Sequence, residues 1–175
     1  YSYYGESEFP TNTTNHKMGT LAQALNSTPG VTVMDDGFGN LSTSRTTQEY
    51  IKLGGQAKVL TSKSKTHTVN VDGGESWQDE EIHNGIQTHV SVITYDYDMA
   101  TGKLKGKGAT ATDGVMASND GNNNWTTATI HQTYKLVNGQ AKVDTSRSLT
   151  HTVNADGGES WQDGDIHNGI QTQAS

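Results

Sequence analysis

An offset of 84 residues carries one half of this chain onto the other without a gap, and that register constrains the fold more than any other feature of the sequence. Gln48 to Thr88, which contains GGQAKV, THTVNVDGGESWQD and IHNGIQT, returns from Gln132 to Thr172 as NGQAKV, THTVNADGGESWQD and IHNGIQT. From Thr46/Ile130 to Thr88/Thr172, 30 of 43 aligned positions are identical. The earlier part matches more thinly at the same offset, TPGVTVMDDGFGNLST from Thr28 lying over TDGVMASNDGNNNWTT from Thr112. A fixed period marks a repeated supersecondary unit, and two long copies are too few for a solenoid. The expected partition is a first β unit over residues 1–88, with a strand-like N-terminal tail, and a second over residues 89–175. The two either pack as one sandwich or stand as two small domains.

The apolar fraction is 30%, with only two prolines and two phenylalanines, so any core is thin. A Gly/Thr-rich chain of this kind folds as all-β, because each sheet needs to bury only one face. The preserved Val, Ile, Trp and Tyr spacing between the copies argues against disorder, the other outcome of low hydrophobicity. The expected fold class is therefore an all-β, antiparallel, β-sandwich-like architecture built from the internal duplication. Gln56 to Val71 and its copy from Gln140 to Ala155 read as strands from their Thr and Val content. Ile86 to Asp98 reads as one long strand, with Ile93, Tyr95 and Tyr97 on one face. Met99 to Gly102 then makes a hairpin turn into a lysine-defended edge. A short helix is expected where Met18, Leu21 and Leu25 recur at helical spacing before Pro29-Gly30.

Charge and cysteine usage narrow the function. The net charge of −7 and the lack of a basic stripe make nucleic acid a poor partner. Lys63 and Lys65 read as a solvated strand surface. No apolar run is long enough to span a membrane as a helix. The absence of cysteine removes disulfide and thiolate chemistry. With a Thr/Asn-rich, Lys-poor composition and an opening YSYYGESEFP without methionine, the chain reads as a processed, secreted or cell-surface protein. No nucleophile elbow, phosphate loop or ordered triad is present, so the chain is not expected to be an enzyme.

The most distinctive motif is the duplicated DGGESWQD, followed by IHNG. Trp77 and Trp161 sit among Glu75, Asp79 and His83 and among Glu159, Asp163 and His167. Tryptophan beside carboxylates is either a stacking platform for a sugar or a cover for a thin core. Two histidines with acids in each unit also suggest zinc, although spacing alone shows no convergence. Asp35, Asp36 and Asn40, matched by Asn119, Asp120 and Asn124, offer hard oxygens that suit Ca²⁺, in a stretch that also reads as a hairpin turn. No cofactor is required by any of these motifs.

The ends add an assembly hypothesis. The second unit lacks the continuation that the first has after IHNGIQT, which leaves a sheet position unfilled. Tyr3 and Tyr4 in YSYYGESEF supply a strand for it, either within the molecule or in a neighbour, with Ile93, Tyr95 and Tyr97 at the contact. The leading expectation is an extracellular structural or adhesive surface or matrix protein, self-associating as a filament subunit by strand addition. The alternative is a carbohydrate-binding module or lectin with two equivalent Trp/acid sites.

Overall fold

The computed structural model describes residues 28–175, together with the backbone of two short strands, β1 (Ser2–Tyr3) and β2 (Leu21–Gln23). Among the described residues the fold is all-β and antiparallel. The first repeat contributes β3 (Gly30–Asp35), β4 (Leu41–Leu53), β5 (Gln56–Val69), β6 (Glu75–Gln78), β7 (Ile82–His83) and β8 (Ile86–Gln87). A linking hairpin follows, β9 (Val92–Tyr97) and β10 (Leu104–Ala111). The second repeat is β11 (Gly114–Asn119), β12 (Trp125–Val137), β13 (Gln140–Val153), β14 (Glu159–Gln162), β15 (Ile166–His167) and β16 (Ile170–Gln171). Every strand from β11 to β16 sits 84 residues after its counterpart from β3 to β8.

Two long hairpins, β4–β5 and β12–β13, are the frame. Their loops are two residues long because both central residues take positive φ: Gly54 and Gly55 at 57° and 77°, Asn138 and Gly139 at 51° and 76°. This backbone matches the right-handed twist of the flanking strands. Each hairpin shifts register at the same repeated place, between Glu49 and Tyr50 and between Thr133 and Tyr134. The pairs are held partly by hydroxyls, such as Ser42–Thr68 at 3.0 Å and Thr126–Thr152 at 2.8 Å. Cross-strand Ser and Thr that satisfy one another let a sheet face persist without an apolar cover.

The two repeats meet edge to edge. β6, the last long-sheet strand of the first repeat, pairs with β11, the first of the second, through Trp77↔Ala117, Ser76↔Ser118 and Glu75↔Asn119. The result is one ten-stranded sheet running β3-β4-β5-β6-β11-β12-β13-β14, with β9 and β10 beside the other end of β5. Three two-stranded ribbons, β1–β2, β7–β8 and β15–β16, complete the described strands. Apolar cover is sparse. Among the described residues only Leu53, Val90, Ala109, Ala117, Ala128 and Tyr134 are buried hydrophobics, while fourteen large hydrophobic side chains are exposed, so hydrogen-bonded ladders carry an unusual share of the organisation. Gly108 of β10 lies close against the β12–β13 hairpin, since a Cβ there would lie 3.0 Å from Ala141 and 3.1 Å from Leu136.

Two expectations change. Leu21–Gln23 is a strand paired with Ser2–Tyr3 and not part of a helix; a run of about eight residues is too short to hold a helix unaided. The long strand expected over 86–98 is broken into β8 and β9, because Ile86 and Gln87 turn back onto β7. The hairpin at Met99 to Gly102 is present: Asp98 accepts the Gly102 amide at its carbonyl and the Ala100 and Thr101 amides at its carboxylate. Among the described strands β10 is hydrogen-bonded only to β9, and it carries Lys105 and Lys107 exposed, although its Gly108 and Ala109 are buried near β12. Tyr4, Met18 and Leu25 lie outside the described residues.

Candidate functional site

The duplicated motif folds as a turn, a short strand and a miniature hairpin. After β5, the Asn70 amide donates to the Gly74 carbonyl at 2.8 Å and the Gly74 amide to the Asp72 carboxylate at 3.0 Å, with Gly73 at φ 86°. The reversal sets Trp77 opposite His67. The chain then turns again at Asn84-Gly85, φ 48° and 80°, the pair of positive values that a two-residue hairpin needs. That hairpin brings His83 back over Trp77.

Each tryptophan is consequently stacked on two histidines. Ring centroids are 5.5 Å apart for His67–Trp77 and 4.5 Å for Trp77–His83. The second copy repeats this at 5.2 Å for His151–Trp161 and 4.4 Å for Trp161–His167, with rings within 5° of parallel. Every one of these histidines bonds a carboxylate through Nε2: His67 to Glu75 at 2.7 Å, His83 to Asp79 at 3.0 Å, His151 to Glu159 and His167 to Asp163 at 2.8 Å. Both tryptophans are half-buried.

A threonine ties the hairpin to the carboxylate. The Thr88 hydroxyl, fully buried, donates to Asp79 Oδ1 at 2.8 Å and reaches the Glu81 carbonyl at 3.0 Å. Thr172 does the same with Asp163 at 2.6 Å and Asp165 at 3.0 Å. Burial pushes Asp79 upward, but the His83, Thr88 and Glu81 hydrogen bonds outweigh it and hold the carboxyl below its ordinary value. For Asp163 the Thr172 hydroxyl and the Asp165 amide, with help from His167, bring it down to about 2. Glu80 is held low chiefly by Lys65, at 2.9 Å, against some desolvation and with Lys63 at 3.2 Å, so these two lysines are paired and not merely solvated. Glu80 itself takes φ 79°, in the left-handed region, where the second copy has Gly164.

The copies differ where the repeats meet. Trp77 also faces Trp125, centroids 5.7 Å apart, across the β6–β11 seam, and the two border a groove of about 330 Å³ with Glu75, Asn119 and Asn123. Leu41 occupies the position of Trp125 in the first repeat, and Trp161 lies on β14, whose outer edge is unpaired among the described strands. No family model, curated protein or solved structure matches the chain.

The oxygens read as calcium ligands are engaged in turns. Asp36 Oδ1 accepts the Phe38 and Asn40 amides at 2.8 and 3.2 Å, and Asp36 Oδ2 the Asn40 side chain at 2.6 Å. Asp35 accepts the Gly37 amide at 2.8 Å. Asn119, Asp120 and Asn124 repeat this pattern in the second copy. Asn40 and Asn124 each accept a further amide, from Val71 and Ala155 at 2.9 Å. Among the described residues no three His, Asp or Glu side chains gather as a metal cluster, and no helix is long and apolar enough to cross a membrane. Ile93, Tyr95 and Tyr97 lie on β9, which β5 and β10 flank on its two sides. Tyr3 is in β1.

Sequence reasoning named Trp77, Trp161, His83, His167 and their acids, and the structure brings each set together. It passed over Thr88, Thr172 and Trp125. The Asn-Gly between Ile-His and Ile-Gln was the available signal for the hairpin that recruits both threonines.

Proposed function

We propose that this chain is an extracellular structural or adhesive surface protein that works as a self-associated β-sheet array. The observation that carries the reading is the seam: one repeat joins the next by strand pairing, and among the described residues the run of repeat strands ends in β3 and β14, each with an open outer edge. These edges, six residues in β3 and four in β14, carry no lysine or proline to turn a further strand away. The Thr/Asn-rich composition supports a place outside the cell. Light scattering over a concentration series tests the reading. Mass that grows with concentration into extended assemblies, visible by electron microscopy, is the expected result; a constant monomer mass counts against it.

A second reading, carbohydrate binding, is favoured by the groove at the seam, where Trp77 and Trp125 stand beside Glu75, Asn119 and Asn123. Its volume of about 330 Å³ is at the small end for ligand sites. On this reading only the seam is a complete site, so Trp125→Ala abolishes a glycan-dependent change in tryptophan fluorescence, whereas Trp161→Ala leaves it intact.

A further inference from the structure

We propose that the open edge of β14 pairs with the open edge of β3 in a second copy of this chain, in the register that β6 and β11 use within it. The inference rests on the assembling reading above and names its contact. β14 is the counterpart of β6, and β3 the counterpart of β11. Carrying the internal pairs forward by 84 residues sets Trp161 against Val33, Ser160 against Met34 and Glu159 against Asp35 of the next molecule.

Burial marks the same surfaces as incomplete. Ala117 at the internal seam is 0% exposed, whereas its counterpart Val33 is 61% exposed, with Val31 at 56% and Met34 at 65% beside it. Every residue of β3 is exposed, while β11 has two buried residues and four half-buried. Glu75 is half-buried and Glu159 exposed. The Gly-Val-Thr-Val-Met run of β3 carries none of the lysine or proline that protects a free edge. Turns are complementary too. Gly121 packs so closely on the turn of the first repeat that a Cβ would fall 2.9 Å from the Asp72 carbonyl and 3.1 Å from Gly73. Its counterpart Gly37 has nothing within 4 Å, and the matching turn, Asp156 to Gly158, also stands open on that side.

One position departs from the template. Asn119 faces Glu75 at the internal seam, but Asp35 would face Glu159. Like charges directly across a strand pair oppose association, so this contact is weaker than the covalently joined one and strengthens with salt. Because β3 and β14 are different surfaces, the contact is head to tail, and its repeated use without closure makes a filament. Each molecule then adds eight strands along the axis, about 38 Å at the usual strand spacing.

The chain has no cysteine, so Met34→Cys with Ser160→Cys in one chain reports the contact directly. Cross-strand neighbours lie about 4.5–5.5 Å apart at Cα, within disulfide reach, and the two positions are on opposite edges of the sheet, so their bonds link different molecules. The expected result is a ladder of covalent oligomers on oxidation, formed faster than with Met34→Cys and Gln162→Cys. Asp35→Asn, which reproduces Asn119 and keeps its turn acceptor, tightens association roughly two- to fivefold. Gly37→Ala weakens it on the order of tenfold or more by placing a Cβ against the partner's turn, while the dilute protein still melts cooperatively. Assembly without the 34–160 ladder, or assembly indifferent to both Asp35→Asn and Gly37→Ala, overturns this contact and leaves the assembling reading standing. A monomer at every concentration overturns both.

Discussion

Thr88→Val offers a test of what holds the Trp/His motif together, because the second copy supplies its own control. Valine keeps the shape of threonine and deletes only the hydroxyl. In the native chain that hydroxyl, 0% exposed, bonds the Asp79 carboxylate at 2.8 Å and the Glu81 carbonyl at 3.0 Å. Glu81 retains the Thr88 amide as a donor, and Asp79 retains His83 and the Glu81 amide, so the loss falls mainly on one charge-assisted bond. Such bonds contribute about 1.5–3 kcal/mol, and with no water able to replace the hydroxyl the upper half, about 2–3 kcal/mol, is expected. At Thr172 the same bonds exist but the residue is half-exposed, so water substitutes and about 1 kcal/mol is lost. Thr88→Ser keeps the bond and loses a methyl, about 0.8 kcal/mol. Urea denaturation of the three variants, followed by tryptophan fluorescence, measures the order. In a thermal scan Thr88→Val lowers Tm by roughly 4–12 °C for a chain of this size. A Thr172→Val loss equal to that of Thr88→Val, or a Thr88→Val loss below about 0.5 kcal/mol, refutes the account.

Acid weakens the motif. Asp163, at about 2, and Asp79, also below its ordinary value, are stabilised in the folded state as carboxylates. Their contribution is fully present above the unfolded pKa of about 4 and is lost as pH falls through the folded value. Circular dichroism melts from pH 7 to 2 therefore decline only at the acidic end, and Asp163→Asn removes part of that decline; stability that rises on acidification contradicts the assignment. Gly108→Ala combines a φ of 82° with a Cβ 3.0 Å from Ala141, so it costs about 2–3 kcal/mol. Gly139→Ala, at φ 76° with nothing within 4 Å, costs only about 1 kcal/mol; equal losses in denaturant titrations contradict the close approach of β10 to the β12–β13 hairpin.

Much of the local structure was legible because it is written in short-range chemistry. Thr- and Val-rich runs gave β5 and β13, Asp-Gly-Gly gave the turn into β6, and the 84-residue offset foretold that whatever formed once would form again. The expected helix failed at Leu21 to Gln23, where the chain is a strand, because a spacing of three apolar residues cannot outweigh strand pairing over so short a run. The broken strand at Ile86 was missed because Asn84-Gly85 was treated as part of a binding motif and not as a two-residue turn. In the candidate site, the identity of the residues was visible, but the stacking of His83 on Trp77 and the burial of Thr88 were not, since both follow from a hairpin folding over its own sheet.

By itself the sequence determined the strands, their turns and their repetition, all of which depend on neighbours a few residues away. The tertiary structure alone decided that the repeats join edge to edge, that Trp77 acquires Trp125 while Trp161 does not, and that β3 and β14 are left at the rim. Strand pairing uses the backbone, which every residue carries alike, so no side-chain pattern announces which edge will meet which. That choice belongs to the whole sheet, and it made two nearly identical motifs physically different.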